Sequence, residues 1–256
     1  MRFRSLGSGS TGNATVVESG GLVPFRILID CGLGIKQLRD RLLVAGLKLE
    51  DIHAIFITHE HGDHIGCAHT VALRYRIPIW MSQGTHAAIG SPDFDGLLHM
   101  ARDGQTIDAG GLQITPFTVP HDAREPLQLT CTDGASKFGV LTDLGHATAH
   151  VMTHLAGCNG LLLEFNHDTD LLEQSSYPFF LKRRISGHHG HLSNSAAAEI
   201  ARQLMHSGLT HVVAAHLSTQ NNRPQLVREL LAKTLSRTAA EIVTANPDDG
   251  CSWLQL

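Results

Sequence analysis

The sequence predicts an α/β fold in which two β-sheets pack face to face with helices on the outside. Short apolar segments of strand length follow one another early in the chain and later alternate with segments of helical periodicity. Several strand candidates end in a polar residue, at Asp30, His59, Asp143 and Glu164, and ligands collect at that edge of an α/β sheet. With 256 residues and no linker or break in composition, we expect a single domain spanning residues 1–256.

Nine segments have the length and the apolar content of strands. They are Thr15–Glu18, Phe25–Asp30, Ala54–Thr58, Ile79–Met81, Leu112–Val119, Phe138–Asp143, Gly160–Glu164, His211–Ala215 and Glu241–Thr244. Helical patterns cover Ile35–Ala45, His64–Arg74 and Ser195–His206. The last helix follows Asn194 as a candidate N-cap and stops at Gly208.

The composition favours a metal site in a reducing compartment. Eighteen histidines are far more than a globular chain of this size usually carries. The five cysteines are widely spaced and form no CxxC pair, so neither a disulfide framework nor a thiolate zinc site is expected. The N-terminal segment lacks the apolar core of a signal peptide, and no apolar run is long enough for a membrane span. We therefore expect a cytoplasmic protein.

The segment ITHEHGDH, residues 57–64, places three histidines and an aspartate in a loop directly after a strand. His59 and His61 lie two residues apart on an extended chain and can turn toward one metal ion, while Asp63 and His64 can face a second. Imidazole and carboxylate ligands suit zinc, and also iron or manganese. A polar loop with chance histidines is the alternative, and it fits poorly with the strand before the loop and the glycine at the bend. We therefore predict two divalent ions, with zinc as the first choice.

Four residues cannot complete two metal sites, so later strand ends should supply the remaining ligands. His121, Asp143 and His216 each lie at the end of a predicted strand. The carboxylate of Asp143 has two oxygens and can bridge two ions, whereas His121 and His216 can each close one site. Any one of these residues alone would more often be structural, and the prediction depends on their shared placement.

With these residues identified, the sequence resembles the metallo-β-lactamase superfamily over almost its whole length. The resemblance is carried by the order Asp30, His59-x-His61-x-Asp63-His64, His121, Asp143 and His216. It implies an αββα sandwich, with one metal held by His59, His61, His121 and Asp143 and the other by Asp63, His64, Asp143 and His216. Asp30 would orient the ligand loop; a solvated carboxylate at a strand end is the alternative for this residue.

Two further segments resemble transfer-RNA-processing members of the superfamily. LLLEFNHD places Glu164 at a strand end, and SGHHGHLSNSAAAEIA places His191 just before a helix. The resemblance implies that Glu164 and His191 cooperate in protonating the leaving group, and Asp63 is counted as a catalytic residue as well as a ligand. His188 and His189 do not fit the Gly-His-Leu-Ser-Asn pattern and are expected to be surface residues.

The segments SLGSGSTGN (residues 5–13) and HLSTQNNRP (residues 216–224) narrow the resemblance to the YycJ or WalJ group. Members of this group are cytoplasmic bacterial hydrolases regarded as 5′-to-3′ DNA exonucleases. The glycine loop is followed by a strand and not by a helix, which argues against dinucleotide binding. It could present donors to a phosphate or form a tight turn, and the sequence favours neither. The candidate substrate contacts are Ser8, Ser10, Asn13, Asn194, Ser218 and Asn222.

The leading hypothesis is a dinuclear metal-dependent hydrolase that cleaves phosphodiester bonds in DNA, as a 5′-to-3′ exonuclease. A hydrolase of small esters, thioesters, lactones or cyclic phosphodiesters on the same site is the alternative, and a non-catalytic metal-binding module is a third hypothesis. Arg223 and the basic run Lys182–Arg184 could contact a nucleic-acid backbone, although a solvated surface is the simpler interpretation of the run. The net charge of −4 provides no global attraction for nucleic acid. The oligomeric state is left open.

Overall fold

The computed structural model describes residues 1–256 and contains two β-sheets of seven strands each. In spatial order the first sheet consists of β14 (Leu254–Gln255), β1 (Arg2–Gly7), β2 (Ala14–Glu18), β3 (Arg26–Ile29), β4 (Ala54–Phe56), β5 (Ile79–Met81) and β6 (Leu98–Met100). The second consists of β13 (Val243–Thr244), β12 (His211–Ala215), β11 (Gly160–Glu164), β10 (Lys137–Leu141), β9 (Leu127–Thr132), β8 (Gln113–Thr118) and β7 (Ile107–Asp108).

Both sheets are mixed, and each contains a run of parallel strands. Strands β3 to β6 are parallel in the first sheet, and β10 to β13 are parallel in the second. The remaining neighbours pair antiparallel. Parallel strands carry their C-terminal ends to one edge of the sheet, which is where a ligand site forms in folds of this class.

Helices cover the outer faces of both sheets, giving four layers. They are α1 (Ile35–Val44), α2 (Gly62–Ile65), α3 (Ala68–Tyr75), α4 (Gln83–Ala88), α5 (Ala149–Leu155), α6 (Thr169–Gln174), α7 (Phe179–Ile185), α8 (Asn194–Gln203) and α9 (Pro224–Leu235). Two short 3₁₀ helices span Leu49–Asp51 and Ala239–Glu241. No helix combines the length and the hydropathy that crossing a membrane requires.

The core is divided into three apolar layers because the sheets are covered on both faces. Val17 of β2 packs between the sheets, while its neighbour Val16 faces the layer that contains Leu38 and Leu42 of α1. Between the sheets the rings of Phe3 and Phe138 stack with their centroids 4.1 Å apart. Alternate strand residues are therefore buried on opposite faces, which explains why the strands read as continuous apolar runs in the sequence.

The predicted αββα sandwich is confirmed, and all nine predicted strands are present with shifts at their ends. The prediction of one helix over His64–Arg74 is wrong, because the helix is interrupted at Gly66, between α2 and α3. Gly66 has a φ of +29°, and a Cβ there would lie 2.4 Å from the carbonyl oxygen of Cys31. The N-cap of α8 is Ser193, whose hydroxyl accepts a hydrogen bond from the backbone N–H of Ala196. Asn194, the predicted cap, is the first residue of the helix.

Candidate metal centre and active site

The ligand loop follows β4 and is held in place by a buried aspartate from the neighbouring strand. Asp30 lies directly after β3, and its Oδ1 accepts a hydrogen bond of 2.9 Å from the backbone N–H of Thr58. Its Oδ2 accepts a bond of 2.8 Å from His64 Nδ1. Because Nδ1 of His64 is used in this way, Nε2 is the ring nitrogen turned toward the centre. Asn13 holds the far end of the loop, since its backbone N–H donates to the carbonyl oxygen of Asp63.

Three imidazole nitrogens converge at the first predicted metal site. His59 Nε2 lies 3.1 Å and His121 Nε2 lies 3.3 Å from Nδ1 of His61. Tetrahedral coordination at zinc–nitrogen distances of about 2.0–2.1 Å puts ligand nitrogens about 3.3 Å apart. The three nitrogens are therefore spaced as ligands of one ion.

The second predicted site brings together Asp63, His64 and His216. Asp63 Oδ2 lies 3.6 Å from His64 Nε2 and 3.4 Å from His216 Nε2. Asp143 lies between the two groups, with its Oδ2 3.1 Å from His64 Nε2. His59, His64 and Asp143 also offer ligand atoms within 4.8 Å of one another, so Asp143 is placed where a bridging carboxylate would be.

Two buried atoms of this centre have no hydrogen-bond partner. They are Oδ2 of Asp143 and Nε2 of His216, although both lie close to other polar atoms. Buried polar atoms are normally hydrogen-bonded, because leaving one unpaired costs about 1–3 kcal/mol. Together with the mixed imidazole and carboxylate donor set, these two atoms fit a pair of divalent metal ions.

Backbone geometry marks the same strand ends. Asp30, Asp143 and His216 have φ values of 60°, 55° and 53°, in the left-handed region that few residues other than glycine adopt. Each residue follows the C-terminal end of a parallel strand, and the turn directs its side chain into the centre. Strained backbone of this kind concentrates at functional sites.

The electrostatics favour positive charge at the second predicted metal site, whereas burial lowers the pKa of His59 and of His121 at the first. Burial alone would lower the pKa of His216, but the carboxylates of Asp143, Asp63 and Glu164 outweigh it and raise the pKa to about 10. Burial likewise opposes ionisation of Asp143, yet the charges of His216 and His64 hold its pKa well below the usual value. A cluster that stabilises protonated imidazoles so strongly would also attract divalent cations, with which those protons compete.

Glu164 is the buried connection between the centre and His191. Its Oε1 accepts hydrogen bonds from Nδ1 of His191 at 2.8 Å and from Nδ1 of His216 at 3.0 Å. Its Oε2 accepts from the backbone N–H groups of Leu192 and Leu144. Burial would raise the pKa of Glu164, but His191 and His216 lower it to about 2, so the side chain is a carboxylate.

The ring of His191 is held by Glu164 and lines the cleft. Burial would lower its pKa, but the charge and the hydrogen bond of Glu164 raise it above the usual value for histidine. Since Glu164 uses Nδ1, the remaining ring nitrogen is Nε2, and His191 lines the cleft. The arrangement can present a protonated imidazole to a bound substrate.

The cleft above the centre has a volume of about 420 Å³ and is lined mainly by polar groups. Ser10 and Ser218 line it, as the sequence predicted for substrate contacts. Arg184 of the basic run Lys182–Arg184 also lines it, and so does Tyr177, which was not predicted. Arg184 Nε lies 2.6 Å from Oδ2 of Asp122, an ion pair that no local sequence pattern could have revealed because the partners are 62 residues apart.

The other four predicted substrate contacts are buried, and their side chains form hydrogen bonds within the protein itself. The hydroxyl of Ser8 accepts from the backbone N–H of His216 at 2.8 Å and so fixes that ligand's strand end. The side chain of Asn13 bonds Gly9 and the ligand loop. Asn194 and Asn222 bond each other through their side-chain amides at 2.8 and 3.0 Å. These side chains hold neighbouring segments together, and none of the four lines the cleft.

Comparison with known proteins agrees with the fold and the motifs. A sequence model of the family described as Beta-lactamase superfamily domain matches residues 25–216. Exodeoxyribonuclease YycJ of Bacillus anthracis is 32% identical over 240 residues, covering 92% of this chain and 89% of that protein. Exodeoxyribonuclease WalJ of Streptococcus pneumoniae is 31% identical over 242 residues, covering 93% of this chain and 89% of that protein.

A solved structure extends the likeness to the whole fold. The metallo-beta-lactamase fold protein YhfI from Bacillus subtilis has a TM-score of 0.73 and 15% sequence identity, covering 99% of both chains. At that identity the likeness concerns the fold alone. The predicted family resemblance is confirmed by the family match and by the two relatives, and the chain belongs to the metallo-β-lactamase superfamily.

Proposed function

We propose that the chain is a dinuclear metal-dependent phosphodiesterase that degrades DNA as a 5′-to-3′ exonuclease. The observation that carries the proposal is the buried convergence of ligand atoms on Asp143, with Glu164 and His191 directly beside it. The names of the two relatives support DNA as the substrate. Zinc is the proposed metal and manganese or iron the alternatives, since imidazole and carboxylate ligands suit all three.

Seven side chains would hold the metals. His59, His61 and His121 would bind one ion and Asp63, His64 and His216 the other, with Asp143 shared between them. Divalent metals, when bound, lower the pKa of water and neutralise charge on a phosphate oxygen. Asp30 would keep His64 in the correct orientation through its bond to Nδ1.

The chain's own side chains would protonate the leaving group. A phosphodiester loses an alkoxide oxygen, and the departing oxygen needs a proton. His191, charged and held by Glu164, would donate that proton from Nε2. Asp63, which also lines the cleft and is partly exposed, would orient the attacking water.

A cytoplasmic location is part of the proposal. The five cysteines are all free, and four of them are buried, which suits a reducing compartment.

The first test measures metal content and substrate range on one preparation. Purified protein should carry two divalent ions per chain and release nucleotides progressively from the 5′ end of labelled DNA. Turnover of bis(p-nitrophenyl) phosphate without degradation of DNA would contradict the nuclease assignment and support a small ester as substrate. Bound metal with no turnover of either would contradict hydrolysis altogether.

The role of His191 is tested by His191→Ala. Loss of a positioned general acid typically costs about 10²–10⁴-fold in rate, and the variant should lose that much in kcat on DNA while keeping both metals. His189→Ala is the matched control, because His189 is exposed and lies two residues away. Equal activity of the two variants would show that His191 is not the acid.

A further inference from the structure

Helix α7 is exposed in a way that packing does not explain. None of its residues is buried, and Phe179 and Phe180 are 75% and 73% exposed. The other seven phenylalanines of the chain are buried or half-buried. Adjacent aromatic rings held in solvent are costly unless they meet a partner, so they mark a binding surface.

The same helix carries concentrated positive charge. Lys182, Arg183 and Arg184 form the only run of three consecutive basic residues in a chain whose net charge is −4. The guanidinium carbon of Arg183 lies 5.9 Å from the centre of the Phe179 ring. Aromatic and cationic groups therefore lie side by side on one exposed helix.

The position of α7 relates this surface to the reaction centre. Leu181, Arg184 and Ile185 line the cleft, and their spacing places them on one face of the helix. Phe180 directly precedes Leu181 and is four residues before Arg184, so it lies next to that face. The ion pair of Arg184 with Asp122, the residue after the ligand His121, fixes the helix beside the centre.

We propose that α7 is a platform for single-stranded nucleic acid, on which Phe179 and Phe180 stack against bases while Lys182 and Arg183 contact phosphates. Aromatic rings beside cations are the combination that single-strand binding uses, because every base has a face to stack and every nucleotide a charge to neutralise. The platform rests on the proposed nuclease function and adds a specificity to it. Rings can stack only on unpaired bases, so the platform would hold a single strand or the frayed 5′ end of a duplex.

The stacking half is tested by the double variant F179A/F180A. Binding of a phosphorothioate deoxythymidine oligonucleotide is measured by fluorescence anisotropy, beside an abasic strand of equal length. Each stacked base contributes about 1–3 kcal/mol, so the variant should bind the thymidine strand about tenfold or more weakly and the abasic strand like wild type. L43A/V44A is the matched control, since it removes another adjacent pair of exposed apolar side chains, outside the cleft.

Two results would overturn the stacking. One is unchanged binding of the thymidine strand by F179A/F180A, and the other is an equal loss on both strands, which would mean that the bases are not contacted. If L43A/V44A lost as much affinity for the thymidine strand as F179A/F180A, the loss could not be attributed to α7.

The phosphate half is tested by K182A/R183A. The variant removes two cations that would contact phosphates. The plot of log binding constant against log salt concentration should therefore become shallower, with a slope smaller in magnitude by about one to two. An unchanged slope would show that these cations do not reach the strand.

Failure of the platform and failure of the proposed function give different results. If wild type and F179A/F180A degrade subsaturating single-stranded DNA equally well, the platform is wrong and the nuclease stands. If wild type cleaves only bis(p-nitrophenyl) phosphate yet binds the thymidine strand through α7, the platform stands and the nuclease is wrong. Wild type that binds no strand overturns the platform.

Discussion

Two groups of histidines and carboxylates in this molecule are alike in how close their side chains lie to one another, but they differ in burial and in hydrogen bonding. The central cluster comprises His59, His61, Asp63, His64, His121, Asp143 and His216, and the surface cluster comprises Asp103, His150 and His154. The central cluster contains several groups of three or more side chains whose ligand atoms lie within 4.8 Å of one another, and the three side chains of the surface cluster form one such group. In the surface cluster Asp103 and His150 are each 43% exposed, whereas Asp143 and His64 are almost completely buried.

Hydrogen bonding separates the clusters further. Oδ1 of Asp103 accepts from the backbone N–H and the hydroxyl of Thr118 as well as from His150. Oδ2 of Asp143 is buried and accepts from nothing. Closeness of ligand-type side chains is therefore weak evidence for a metal, and buried ligand atoms without protein partners are strong evidence.

The largest expected effect follows from Asp143→Asn. Asparagine keeps the shape and tolerates a φ of 55°, so only the charge and one acceptor are lost. Metal stabilisation of the transition state is worth several kcal/mol, which predicts a loss of about a thousandfold in hydrolysis. Metal content, measured by mass spectrometry, should fall below two ions per chain. Asp103→Asn is the control, and a similar loss in both variants would erase the distinction between the clusters.

A smaller effect is expected from Asp30→Asn. The backbone N–H of Thr58 and Nδ1 of His64 donate to different oxygens of the carboxylate, and an amide replaces one of these oxygens with an NH2 donor, so one of the two bonds is lost. Loss of a group that orients a ligand typically costs about 10–100-fold in metal affinity, and a chelator competition titration would measure it. Unchanged affinity would show that Asp30 is a structural residue of the strand end only.

The contrast between the clusters also explains what the sequence could predict. The grouping of the seven predicted ligands in the central cluster could be predicted because each lies in or after a strand of recognisable pattern, and parallel strands bring their ends together. The burial of Ser8, Asn13, Asn194 and Asn222 could not be predicted, because burial is a tertiary property. Asn194 and Asn222 are 28 residues apart, and nothing in either local sequence indicates that they bond each other.

The secondary-structure elements likewise differ in how well the sequence predicted them. Strands with strong apolar runs were predicted, while β6, β7 and β14 were not, because they have two or three residues and lie at or next to sheet edges. Strands β1 and β9 were also missed, since the apolar residues of both alternate with polar ones and form no continuous apolar run. The exposed phenylalanines of α7 could not be recognised from sequence, where an FFL run is typical of a core.

A buried carboxylate with complete partners provides the next comparison. Burial would raise the pKa of Glu18, but Arg2 and Arg26, which each donate to one of its oxygens at 2.6 Å, lower it. A lowered pKa means that the pair stabilises the fold above the unfolded value of about 4.3 and loses this effect as pH falls through the folded value. We expect Glu18→Gln to cost about 1 kcal/mol at neutral pH, since Arg2 is partly exposed.

Urea unfolding at several pH values would measure the effect of Glu18→Gln. The difference from wild type should shrink below about pH 4, and metal content should not change. A difference that is constant with pH would mean that packing, and not charge, accounts for the loss.

The smallest effect is expected from His150→Ala in the surface cluster. Exposed ion pairs contribute little, and Asp103 keeps its bonds from Thr118, so stability should stay within about 0.5 kcal/mol of wild type. Metal content should be identical, as measured on the same preparation. His154 is left in place because its ring stacks on Phe117 with centroids 4.9 Å apart, and its removal would confuse a packing loss with a metal effect. If His150→Ala lost a metal equivalent, exposure and satisfied hydrogen bonds would not exclude a metal site, and the criterion that singles out the central cluster would fail.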